Sequence, residues 1–246
     1  MAARHSCVRP PLLPLILVLL MFAAAPAAAQ DISIDLGEGG SLTARTLQII
    51  ALITVLSLAP GLAIMITCFP FVVTVLSILR QAIGLQQSPP NMLIVSLALF
   101  LTYFVMSPVF EAAYQAGIGP LMEGDMDTME ALAQAYQPFR SFMMARVDPD
   151  TLQSMASLRE VADLGAPEPS ILIPSFMLSE VERAFQIGFL IFLPFLIIDL
   201  VVAAILMSMG MMMVPPAIVS LPFKLAFFVV ADGWALVTGA LVRSYF

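Results

Sequence analysis

Apolar residues in this chain come in long blocks, with the polar positions gathered between them. Residues 45–80, 92–110, 185–209 and 217–243 form four such blocks, near or above the roughly 20 residues that cross a hydrocarbon core as a helix. The stretch between the second and third, residues 111–184, is acidic and mixed in character. This pattern predicts an all-α, polytopic membrane protein with about four hydrophobic helical segments and one helical extramembrane insert. The first block is too long for a single straight span, and Pro60-Gly61 divides it. It reads as one long kinked helix, its freed backbone groups satisfied by neighbouring protein. The alternative is a re-entrant half-helix followed by a span.

Within the insert, Asp127-Thr128 is placed to cap a helix over residues 129–136, which Pro138 would end. Asp148-Pro149-Asp150 is placed to start a second helix over 151–163, with Gly165 as its stop. Leu152, Met155, Leu158 and Val161 recur at a spacing near three and predict one apolar stripe that packs on a neighbour. Ala166-Pro167-Glu168-Pro169 reads as a stiff connector back to the membrane. Ser179 with Glu182 offers a capping box for the third block, and Ser175 after Pro174 an equally good start.

Before the first block the chain carries a processing signal. Arg4 and Arg9 precede an apolar run from Leu12 to Phe22, and Ala27-Ala28-Ala29 supplies small residues before Gln30. That arrangement predicts a cleaved signal peptide over residues 1–29, cut between Ala29 and Gln30. A short segment, 30–44, then leads into the first block from outside the cytoplasm. Cleavage removes the only histidine, His5, together with Cys7. No zinc site built on His and Cys remains, nor a nucleophile–histidine pair. No cofactor is implied.

Composition and charge place the blocks. Apolar residues make up 61% of the chain and charged ones 11%, a membrane-protein balance. The net charge of −7 arises mostly in the insert, and no basic patch suggests nucleic acid. Residues 81–91 follow Arg80, contain no acid and carry Pro89-Pro90, which marks them as a cytoplasmic loop. The insert then lies outside, and the two remaining blocks run in and out again. Both mature termini thus lie on the outer side.

Asp199, Lys224 and Asp232 sit inside the last two blocks, where a charge costs about 2.5–3.5 kcal/mol at a helix centre. Asp199 precedes the turn at 210–216 by about as much as Lys224 follows it. In a helical hairpin the two reach the same depth, so they are natural partners for a buried ion pair, within one chain or between copies. Pairing of this kind should let a charge swap restore part of what either single loss removes. Asp232 is placed near the outer boundary, with Trp234 as an interfacial anchor. The turn itself holds Met211, Met212 and Met213 and no charge. Three adjacent thioethers suit a surface that presses against something variable in shape, which predicts a pore gate. Two other chemistries compete with this reading. An intramembrane aspartyl protease would pair Asp199 with Asp232, but Asp232 lacks a tight glycine-flanked turn. A small-solute channel or transporter would have to oligomerise, because no inverted repeat is visible.

The motifs carry a resemblance. PFLIIDLVVAAILMSMGMMMVPP at 194–216, LPFKLAFFVVADGW at 221–234, LRQAIGLQQSPPN at 79–91 and FLTYFVMSPVF at 100–110 are similar to the FliP family of type III protein export systems. The resemblance covers nearly everything after Leu47. It implies a non-enzymatic subunit of a flagellar export gate in the bacterial inner membrane. About five copies would wind with FliQ-like and FliR-like membrane proteins around a channel for unfolded exported polypeptides, with the insert in the periplasm. Injectisome relatives share the core motifs; the signal peptide favours the flagellar branch. In one place the chain departs from the family pattern. Phe71 stands where family members usually carry a basic residue, which removes one charge from any ion pair made there.

Overall fold

The computed structural model describes residues 42–85, 88–159, 165, 167–211 and 213–246, and among them the only regular elements are helices. The chain divides into two units, Met1–Leu52 and Ile53–Phe246. The described residues of the first are the opening turns of helix α1, Leu42–Met65. The Ala29–Gln30 cleavage site lies outside the described residues, as do Val161 and Met212.

The first apolar block is not one kinked helix. Pro60 sits inside α1, and the break falls instead between Met65 and Phe69, where helix α2, Phe69–Ile83, begins. Pro70 in the first turn of α2 explains the restart, since its missing N–H would be unpaired there anyway. Thr67 completes the corner: its hydroxyl donates to the Ile64 carbonyl at 2.8 Å and accepts the Phe69 N–H at 3.4 Å. The two halves have different surroundings. Leu56, Leu58 and Leu62 on α1 are exposed, whereas Phe71, Val72, Val75, Leu76 and Leu79 on α2 are fully buried.

The short helix α2 is thus the core of the second unit. Around it pack α3, Asn91–Ala113, through Ile94, Ala98, Leu101 and Val105, and α7, Pro169–Ser208, through Ala184 and Phe195. Gly188 lets α7 approach closely, since a Cβ there would meet Ile78 Cδ1 at 2.4 Å. The second block also runs past its expected end. A π-helical turn, Tyr114–Ile118, and a short helix α4, Gly119–Glu123, continue α3 to give 33 residues of apolar helix.

Two insert helices follow. Helix α5, Thr128–Arg146, begins where Asp127 accepts the Met129 N–H, but it runs through Pro138 to Arg146. The proline costs a backbone bond, which burial of Met143 and packing of Phe139 and Phe142 offset. Helix α6, Pro149–Ser157, is capped by Asp148 and stops short of Asp163 and Gly165. Its buried face is Leu152 and Ala156, with Met155 half-buried, while Leu158 is exposed. A true helical period of 3.6 selects residue 156 over the spacing of three that included Leu158.

Helix α7 absorbs the connector's Pro169 as its first residue, so Ser175 and Ser179 lie in its interior and neither caps it. Their hydroxyls donate to the carbonyls of Ile171 and Ser175. The last block is two helices, α8, Pro216–Val230, and α9, Gly233–Arg243, bent by 61° at Ala231-Asp232. Among the described residues, three helices are long and apolar enough to span a membrane, and the bent pair makes a fourth if it is one span.

Candidate functional site

The methionine turn lies between a stop signal at Gly210 and a start signal at Pro215-Pro216. Gly210 adopts φ +75°, a left-handed backbone that suits glycine. Its N–H bonds the Met207 carbonyl, and the Met211 N–H bonds Leu206 at 3.0 Å, which closes α7 with a paired C-terminal motif. Pro215 and Pro216 then open α8 with φ already set. Met213 is 97% exposed and Met211 partly so. Met211 also lines, with Leu206, Ile205 and Phe223, an entirely apolar cavity of about 560 Å³ between α7 and α8.

Further along the hairpin the structure brings Asp199 and Lys224 together. Lys224 Nζ lies 2.7 Å from Asp199 Oδ2, with the lysine side chain 6% and the aspartate 34% exposed. Two further partners join them. Ser220, one turn before Lys224, donates to Asp199 Oδ1 at 2.5 Å. Lys224 also donates to the Ala82 carbonyl at 3.2 Å. Ala82 stands in the last turn of α2, where carbonyls have no helical partner and a cation is favoured. One ammonium therefore joins the end of α2 to both arms of the hairpin. Sequence reasoning missed Ser220 and Ala82; the i, i+4 spacing of Ser220 and Lys224 was the available signal for the first, and none existed for the second.

Asp232 and Trp234 stand apart from that pair. Asp232 is exposed and takes φ +47° at the α8–α9 bend. Trp234 is exposed, its ring edge-on to Phe228 at 5.4 Å. It packs across the bend as well as reaching outward. Gly233 leaves room for this, since a Cβ there would lie 2.2 Å from the Phe228 ring.

A second charged site lies inside the unit. Glu180, fully buried on α7, accepts from Arg146 Nε at 3.1 Å. The Arg146 guanidinium also lies 5.9 Å from the centre of the Phe71 ring. Phe71 thus offers an aromatic face to a charge carried by α5. The polar stripe of Ser175, Ser179 and Glu180 was the sequence signal for this site.

These features define a multi-span helical membrane protein whose last hairpin is set in register by a charge cluster and tipped with methionine. A profile of the FliP family matches residues 52–241, and the chain belongs to that family. Among similar proteins, the flagellar biosynthetic protein FliP of Caulobacter vibrioides is 52% identical over 94% of this chain and 89% of its own length. The proteins of the same name from Rhizobium meliloti and Bacillus subtilis are 44% and 43% identical, over 93% and 81% of this chain and 97% and 92% of theirs.

Proposed function

We propose that this chain is a core subunit of the flagellar type III protein export gate, lodged in the bacterial inner membrane. Membership of the FliP family over residues 52–241 carries the reading, together with relatives named for flagellar biosynthesis. Several copies, about five, assemble with FliQ-like and FliR-like membrane proteins around a channel for unfolded flagellar subunits. Energy comes from elsewhere in the apparatus, because the chain has no phosphate-binding loop. The insert and both mature termini face the periplasm. Met211, Met212 and Met213 of each copy line the narrowest part of the channel, where flexible thioethers close on themselves and remodel around a passing chain. The exposed tip of the α7–α8 hairpin supports that role.

The test is genetic and biochemical together. Deleting the gene should abolish motility and secretion of hook and filament subunits, and the purified protein should emerge as a ring with two smaller membrane proteins. A ring free of those partners, from cells that still swim, would leave a small-solute channel as the better reading.

A further inference from the structure

We propose that the two residues following α9 form a latch that holds the α8–α9 bend, by seating Tyr245 on the buried Arg146–Glu180 pair. The hydroxyl of Tyr245 donates to Glu180 Oε2, and Arg146 Nη1 donates to the Ser244 carbonyl at 2.8 Å. The guanidinium lies 4.0 Å from the centre of the Tyr245 ring. That ring meets Phe71 edge-on at 5.6 Å and stacks on Phe142 at 6.0 Å. Side chains from α2, α5 and α7 thus converge on one short segment, across 65 residues for Glu180 and 98 for the Arg146–Ser244 bond.

The chemistry of the seat makes it specific. Glu180 has no exposed surface, so its charge is supported only by donors within the protein: Arg146, Arg183 at 3.8 Å and the Tyr245 hydroxyl. Arg146 already has one buried nitrogen, Nη2, without an acceptor. Losing Ser244 would take the acceptor from a second nitrogen of the same guanidinium. Burial, and then the neighbouring Glu180 charge, push the Tyr245 phenol up, which keeps it protonated and a donor.

At the other end of α9, the bend is not one the local backbone prefers. Asp232 holds φ +47° without a glycine's freedom, at a cost of roughly 1 kcal/mol. Together α8 and α9 are long and apolar enough to make one span. Val237 and Leu241 pack α9 into the core, and the Tyr245 seat adds a contact beyond α9 that keeps the angle. Released, α9 straightens toward the line of α8 and separates Trp234 from Phe228. The latch belongs to the single chain and does not depend on the export reading.

Trp234 is the only tryptophan, so it reports the bend directly. The full chain in lipid nanodiscs is compared with Tyr245→Ala and with Tyr245→Phe, which keeps the ring and removes only the donor. Tyr245→Ala should raise acrylamide quenching of Trp234 at least twofold with helical content unchanged. Amide exchange across α9 should quicken about tenfold or more in Tyr245→Ala and by a smaller factor in Tyr245→Phe, the scale expected for losing a hydrogen bond to a charged group. If Tyr245→Ala does not accumulate, exchange in Tyr245→Phe decides the matter. Unchanged α9 exchange in the variants that fold would overturn the latch. Equal acceleration in α5, α6 and α9 would overturn it too, because that is general loosening and not release of the hinge.

Discussion

The ammonium of Lys224 and the carbonyl of Ala82 meet at 3.2 Å although 142 residues separate them in the chain. That contact makes the Asp199–Lys224 pair asymmetric, because the lysine serves a helix end as well as the aspartate.

Asp199→Ala should therefore be the more damaging single change. It leaves a buried ammonium with one carbonyl acceptor, and breaking a buried pair in this way costs about 3–5 kcal/mol. Lys224→Ala leaves an aspartate one-third exposed to solvent and still bonded by Ser220, with a cost nearer about 1.5–3 kcal/mol. Recovery of folded protein after detergent extraction ranks the two. The charge swap, expected from sequence to restore part of the loss, should restore little. An aspartate at 224 would turn its charge toward the α2 carbonyl.

Close helix approach at the π-helical turn gives a second prediction. A Cβ on Gly117 would lie 2.2 Å from the Ala131 carbonyl oxygen, a backbone atom that cannot turn aside. Gly117→Ala should destabilise by about 1–3 kcal/mol or more. Gly188→Ala presses chiefly on the end of the Ile78 side chain and should cost less. Thermal unfolding of the two variants in the same detergent checks the order.

Replacing Met211, Met212 and Met213 together by alanine should make cells that assemble the complete gate leak ions, since an apolar constriction blocks them by dewetting. Membrane-potential dyes read the leak. Unchanged conductance with normal complex formation would remove the methionines from the gate.

Cysteines at Ser154 or Ser157, both exposed on α6, should react with impermeant maleimides only from the outer face and cross-link between copies. Cys68 is fully buried, so it should stay silent. Labelling from the cytoplasmic side would invert the topology.

Acid should weaken the start of α6. Asp148 accepts the Thr151 N–H at 2.9 Å and the Thr151 hydroxyl at 3.0 Å, and these bonds hold its carboxyl below the usual carboxylate range. A lowered folded-state value means the contribution is complete above the unfolded value and disappears as pH falls through the folded one. Asp148→Ala should thus loosen α6 at neutral pH and make little difference at strongly acid pH. Amide exchange of Leu152 at matched intrinsic rates measures the gap.

Much of this protein follows from sequence alone, because membrane spans and helix caps are local. Apolar blocks long enough to cross a bilayer, the Asp127 and Asp148 starts, and the glycine and proline signals around the methionine turn each depend on a few adjacent residues. Even the meeting of Asp199 and Lys224 was readable, since a hairpin with a known turn sets which residues share a depth. Tertiary structure decided what depends on distant partners. Pro138 stays within a helix because Phe139, Phe142 and Met143 have surfaces to pack on. Helix α2 became a core and not a lipid-facing span because α3 and α7 surround it. Ala82, Glu180 and Tyr245 gained their roles only when segments tens of residues apart came within hydrogen-bonding distance, and no pattern along the chain encodes that proximity.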